Sequence, residues 1–327
     1  MSFYIYAETA FHHEGDKDYL IQLVNEAKKS GVNGVKFQVL IELNDFMSSK
    51  HSAFTQAKDW ILTLEEWNDV FKYTQTLGLD IILMPLDIRA FELSVLFDIK
   101  QIEIHSVSFK DKKLLSKLEE NTIPLILGIG GRTLEEIDGV VKRYKDREIT
   151  LMVGFQSYPS ELEDIKLGRI KELARMYPKC TIGYADHSSY NNEMAIVSNE
   201  YAYILGARTF EKHIALEEGK ERIDFQSAVS AEKILTIKKR LDFLDKLLNL
   251  DKNDLFVMNE KEVNYRNRQK LPVTKYDLGV NHVISENDLE LKMLDTEVSI
   301  VDIEALIGRT LYNKVQSDSS FTEKDFL

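Results

Sequence analysis

The sequence predicts an α/β fold, a parallel (β/α)₈ barrel of the TIM type followed by a small β-rich domain. Three observations predict it. Short apolar runs alternate with amphipathic stretches eight times, and strand–helix alternation of that kind implies parallel strands joined by helical crossovers. The alternation spans roughly 250 residues, the size of a closed barrel. The first run ends Ala7-Glu8-Thr9-Ala10, without the glycine-rich phosphate turn that an open doubly wound sheet usually carries there.

The apolar runs fall at 3–8, 34–39, 80–85, 99–104, 123–129, 149–155, 181–185 and 209–213. The first helix is read over 17–30, where Leu20, Ile21, Val24 and Ala27 follow helical spacing. Further helix-like stretches lie near 64–78, 88–97, 110–119, 133–145, 164–176, 191–205 and 230–249. Gly31, Gly34, Gly78 and Gly206 sit near expected helix ends, where a left-handed cap favours glycine. Residues 40–63 form the longest connection before a helix, and long loops in compact domains are usually functional. The domains are read as a barrel over 1–250, a polar linker over 251–268 and a β-rich domain over 269–327, with short runs at 270–274, 289–293 and 310–314.

Composition excludes several classes. A net charge of −12 does not suit a nucleic-acid backbone, so no nucleic-acid partner is expected. An anionic substrate would need local basic groups, because the overall field repels it. The single cysteine, Cys180, excludes an internal disulfide and reads as a small buried residue at a strand start. The first ten residues lack a basic segment followed by a long apolar one, so no signal peptide is expected. No run reaches the roughly 18 apolar residues that span a bilayer. The expected location is the cytoplasm, with no membrane partner.

Active sites of such barrels sit at the C-terminal ends of the strands. The polar residues ending the runs are Glu8, Lys36 and Gln38, Asp87, Ser106 and Ser108, Gln156 and Tyr158, Asp186 and His187, and Lys212 and His213. This regular clustering argues for an enzyme. His187 and His213 end adjacent runs, and two imidazoles with a carboxylate would hold a divalent metal; a core histidine plus a loop histidine is the alternative. Lys36 lies inside an apolar run, where an ammonium is costly unless paired or facing a ligand. Glu8 is a candidate partner, and a Schiff-base role for Lys36 stays open. Asp186 is placed to orient His187. Asp224 reads as a helix cap or surface charge, and the His12-His13 doublet as solvated surface.

Several segments resemble the sialic acid synthase (N-acetylneuraminate synthase) family. Ala7-Glu8-Thr9-Ala10-Phe11-His12-His13-Glu14-Gly15 is similar to that family's opening motif, and Val35-Lys36-Phe37-Gln38, Thr133-Leu134-Glu135-Glu136-Ile137, Gly183-Tyr184-Ala185-Asp186-His187-Ser188 and Glu211-Lys212-His213 resemble later ones in order. Residues 269–327 resemble its C-terminal antifreeze-like (SAF) domain. The resemblance implies condensation of phosphoenolpyruvate with an N-acylated hexosamine, giving a nine-carbon 2-keto acid and phosphate. It implies a Mn²⁺ or Mg²⁺ ion on His187 and His213, catalytic roles for Glu8, Lys36, Gln38 and Asp186, and substrate contacts from Ser106, Ser108, Tyr158 and Asp224. It also implies a domain-swapped homodimer in which Arg268, or Arg266 beside it, reaches the partner's sugar.

The chain departs from the family pattern at the phosphoenolpyruvate end. Where the family has Lys-Ile-x-Ser after the fourth strand, this chain has Glu103-Ile104-His105-Ser106, exchanging a lysine that grips the anion for a group that repels it. Leu83-Met84-Pro85-Leu86-Asp87 and Gly128-Ile129-Gly130-Gly131 each lose two hydroxyls. Arg132 and His105 are candidate replacement cations. A metal-dependent aldolase or lyase that does not use phosphoenolpyruvate, and a non-catalytic sugar-binding descendant, are the alternative functions.

Overall fold

Eight parallel strands close into a barrel in the computed structural model, which describes residues 3–154, 157–248, 256–295 and 299–326. The strands are β1 (Tyr4–Glu8), β2 (Gly34–Val39), β3 (Asp80–Pro85), β4 (Ile99–Ile104), β5 (Leu125–Gly128), β6 (Ile149–Val153), β7 (Thr181–Asp186) and β8 (Thr209–His213). Closure comes from β8 pairing with β1 in the register Ala7↔Lys212 and Glu8↔His213. The helices of this unit are α1 (Lys17–Ser30), α2 (Leu43–Phe46), α3 (Phe54–Ala57), α4 (Leu64–Thr76), α5 (Glu92–Leu96), α6 (Lys112–Leu118), α7 (Leu134–Arg143), α8 (Leu162–Ile165), α9 (Gly168–Met176), α10 (Met194–Ile204) and α11 (Ala231–Leu248). Among the described residues no helix is long and apolar enough to cross a membrane.

Side chains alternate across each strand, and this sorts the residues into two environments. Val35, Phe37, Ile102, Ile104, Leu151, Tyr184 and Phe210 point outward into the layer between barrel and helices. Tyr6, Ile82, Ile126, Met152 and Ala185 form a separate cluster inside the barrel. Helix starts are set by side-chain caps: Asp16 accepts from Tyr19 N, and Thr63 and Thr133 form reciprocal boxes with Glu66 and Glu136. Gly31, Gly78 and Gly206 take positive φ after helices. Gly34 does not cap a helix; it opens β2, where a Cβ would lie 2.6 Å from the Asp80 carbonyl oxygen. The long connection at 40–63 carries α2 and α3 and has a small core of its own, in which Leu40, Leu43 and Ala57 meet Met84 and Leu86. Asp87 pins it, accepting from Ile41 N at 2.6 Å and Glu42 N at 3.1 Å. Cys180 is half-buried just before β7, not in the core.

The chain divides into two units, Met1–Asn249 and Leu250–Leu327. The second has its own core of Leu278, Ile284, Leu289, Leu306, Leu311, Val315, Phe321 and Phe326. Its two strands, β9 (Lys270–Thr274) and β10 (Leu289–Met293), pair antiparallel, while the run at 310–314 makes only isolated bridges. Two similar turns shape it: Ser285 is capped by Asp288, and Thr322 by Asp325. The stretch expected to be a linker is partly helical. Residues 251–255 lie outside the described ones, but α12 (Glu260–Arg266) forms behind an Asn259–Glu262 capping box, because that box satisfies its first free amides. Arg268 is exposed in the turn that follows.

Candidate active site

At the C-terminal mouth of the barrel, alternation turns Glu8, Lys36, Gln38, Glu103, Glu211 and His213 inward from β1, β2, β4 and β8. Three carboxylates surround one ammonium. Lys36 Nζ lies 3.1 Å from Glu8, 2.8 Å from Glu103 and 2.6 Å from Glu211, all nearly inaccessible to solvent. Tyr6 donates to Glu211 at 2.7 Å, and Gln38 Nε2 to Glu8 at 2.8 Å. The parallel register Glu8↔Lys36 places the first pair side by side.

The group is not electrically balanced. Burial pushes all three acids upward, but they end in different states. In Glu8 the burial effect is overcome by Lys36 and His213, so it is held well below the usual carboxylate range. Glu211 rises well above that range, from burial and from the neighbouring Glu8 charge. Glu103 is also raised by burial, with Lys36 opposing. Burial disfavours the charged form of Lys36, yet its carboxylates outweigh this and keep it an ammonium. A Schiff-base role needs the free amine, so this environment closes that alternative.

His187, just beyond β7, and His213 stand with ring centroids 5.1 Å apart, and the Tyr158 ring packs 4.6 and 5.6 Å from them. Glu8, His187, Glu211 and His213 each offer a ligand atom, all within 4.8 Å of one another. His213 Nε2 lies 2.9 Å from Glu8 Oε2 but off the line a hydrogen bond requires, so this buried nitrogen has no hydrogen-bond partner. A buried unpaired nitrogen beside surplus carboxylate fits a divalent cation. Asp224, at φ 61°, is raised by burial while His213 opposes, which puts it within electrostatic reach of the imidazole.

The central cavity is small, about 20 Å³, room for little more than a water or an ion. Its remaining walls include Met84, His105, Gly128, Met152 and Gly154. At Gly154 a Cβ would lie 3.0 Å from Ala185, tighter than an ordinary contact.

Several expectations need correction. Asp186 does not orient His187. Adjacent strand residues face opposite ways, so Asp186 points outward, where Lys212 Nζ (2.9 Å), Ser188 N (2.8 Å) and Asn199 Nδ2 (3.2 Å) hold it. Ser106 and Ser108 are buried in the turn after β4 and are not cavity walls. His12 and His13 are buried, not solvated. His12 Nδ1 bonds the Ile223 carbonyl at 2.8 Å and His13 Nδ1 accepts from Gly15 N at 3.0 Å, because the 9–15 loop turns back beneath 222–225. Burial lowers His13 to about 4. His105 is no replacement cation: burial, then Lys36, lowers it to about 4. Gln156 lies outside the described residues. Reasoning from the sequence missed Glu211, Glu103 and Tyr6 as members of the group. The available signal was period-two spacing, since Glu211 and Tyr6 each lie two residues before an inward-facing ligand.

Residues 23–253 match the NeuB family. An uncharacterized protein of Methanocaldococcus jannaschii is 26% identical over 99% of this chain and 94% of its own length. The N,N'-diacetyllegionaminic acid synthase of Legionella pneumophila is 22% identical, covering 95% of this chain and 91% of its own. Among solved structures, the spore coat polysaccharide biosynthesis protein E of Chromobacterium violaceum superposes with a TM-score of 0.86 at 20% identity, over 100% of both chains.

Proposed function

The chain belongs to the NeuB family, and from that premise we propose that it is a nonulosonic (sialic-acid-like) acid synthase. It joins phosphoenolpyruvate to an open-chain N-acylated hexosamine in the cytoplasm. The methylene carbon of the enol phosphate bonds to the sugar aldehyde carbon, water adds at the phosphate-bearing carbon, and phosphate leaves, giving a nine-carbon 2-keto acid. The observation that carries this reading is the cluster of Glu8, His187, Glu211 and His213 around the orphaned His213 nitrogen.

Those four residues would hold the metal. Two imidazoles with carboxylates suit Mn²⁺ better than Mg²⁺, which prefers oxygen alone. When bound, the metal supplies Lewis-acid polarisation of a carbonyl and a more acidic water. The rest of the chemistry belongs to the chain. Lys36 stands as a fixed ammonium beneath the cavity, favouring negative charge that develops above it. Gln38 fixes the orientation of Glu8. Glu211 accepts from Tyr6, which fixes its orientation toward the other three ligands. Tyr158 packs beside the imidazoles and Asp224 lies near them, positions from which they would meet the sugar. By family analogy residues 269–327 are an SAF domain, exchanged in a homodimer so that Arg268 serves the partner's site.

A second reading, a metal-dependent aldolase or lyase without phosphoenolpyruvate, is favoured by Glu103. Its carboxylate lies 2.8 Å from Lys36 Nζ, leaving less positive charge for an incoming anion. One experiment separates the two: phosphate release from phosphoenolpyruvate with Mn²⁺, across N-acetylmannosamine and diacetamido and 6-deoxy hexoses. Sugar-dependent release with a new 2-keto acid by mass supports the synthase. No release with any sugar, from folded metal-loaded protein, overturns it in favour of the second reading.

A further inference from the structure

The central cavity is too small for a substrate, but a cavity of about 290 Å³ borders it at Gly154. Ile129, Val153, Ile137 and Leu173 form its apolar floor, with Arg132 and Arg169 at its edge. Arg132 is under-committed. Its side chain is about a quarter exposed, its Nε is buried without a hydrogen-bond partner, and its guanidinium donates no hydrogen bond among the described residues. The nearest carboxylate, Glu136, is 3.7 Å away and is already engaged by Lys110 at 2.8 Å and by Thr133 N at 3.0 Å. Arg169 is exposed and has no ion pair among the described residues. Glu172, also on the rim, is paired with Arg175 at 3.3 Å. One guanidinium with a single long ion pair and one with none among the described residues line the same cavity in a chain of net charge −12, and guanidinium matches the geometry of phosphate and carboxylate oxygens.

We infer that this side cavity is an anion subsite in which Arg132 and Arg169 receive a phosphomonoester, with the apolar floor taking attached carbon. The inference rests on the proposed synthase reading only in supposing a phosphorylated substrate. The phosphate belongs either to the three-carbon donor or to a hexosamine phosphate.

The test is calorimetric titration of the Mn²⁺-loaded full-length protein at low salt with phosphoenolpyruvate, N-acetylmannosamine 6-phosphate and inorganic phosphate. Wild type is compared with Arg132→Gln, Arg132→Lys and Arg169→Ala, with Arg240→Ala on α11 as a surface control and thermal midpoints confirming folding. The expected result is at least tenfold weaker binding of a phosphomonoester in Arg132→Gln, a smaller loss in Arg132→Lys and none in Arg240→Ala. Loss confined to phosphoenolpyruvate assigns the subsite to the donor; loss confined to the sugar phosphate assigns it to the acceptor. Binding that survives both Arg132→Gln and Arg169→Ala unchanged overturns the subsite and leaves the synthase reading standing, as does failure of wild type to bind any of the three if turnover is nonetheless seen. Arginine-dependent binding without turnover of phosphoenolpyruvate upholds the subsite and removes the synthase reading.

Discussion

Two buried charge groups share strand β8 and differ in almost every respect. Lys212 points outward and meets one carboxylate, Asp186, within a shell that also includes Ser188 and Asn199. Glu211 and His213, its immediate neighbours, point inward to a group with three carboxylates, one ammonium and a nitrogen left without a hydrogen bond. The outer pair is matched in charge and well hydrogen-bonded, as a structural ion pair must be if its desolvation is to be offset. The inner group is mismatched, and unmatched buried groups mark places where something else binds. From adjacent residues of one strand, one arrangement serves the fold and the other the chemistry.

That contrast can be broken most forcefully from the outside. Lys212→Met leaves Asp186 buried without its counter-ion, and the expected loss is about 3–5 kcal/mol of stability, read from urea unfolding midpoints. A variant as stable as wild type would show that the outer pair is not structural. On the inside, His187→Ala and His213→Ala should each weaken Mn²⁺ binding at least tenfold, about 1.4 kcal/mol or more, by calorimetric titration, with little loss of fold. Unchanged metal stoichiometry in both would remove the metal site. The smallest effect is expected for Glu103→Gln. Its amide oxygen can still accept from Lys36, and a carboxylate already raised by burial is removed, so stability should shift by under about 1 kcal/mol. A loss as large as that of Lys212→Met would make Glu103 an obligatory counter-ion and erase the difference between the two groups.

The same alternation explains what was legible in the sequence. Glu8, Lys36, His187 and His213 could be read because each is polar at the end of an apolar run, and a barrel exposes its chemistry there. Asp186 was misread because adjacency along a strand means opposition in space; its neighbour His187 faces the cavity and it does not. Glu211 stood in a recognised motif, but its contact with Lys36, 175 residues away in sequence, depends on β8 closing against β1, which no local pattern reveals. Glu103 was read as a lost cation, and its role as a partner of Lys36 emerges only from the barrel interior. The His12-His13 doublet looked like surface because its cover is distant in sequence: His12 is bonded by Arg222 and Ile223, more than 200 positions downstream, and His13 packs against Trp67.

The register of β8 has a consequence for how this chain can change over evolutionary time. Point substitution can tune either face of the strand independently, one for durability and the other for reactivity. An insertion or deletion of a single codon within 209–213 would instead exchange the two faces at once, turning an ammonium into the cavity and driving an imidazole and a carboxylate into the oily layer beneath α10. Lineages that vary in length should therefore do so in the loops on either side of this strand, and never inside it.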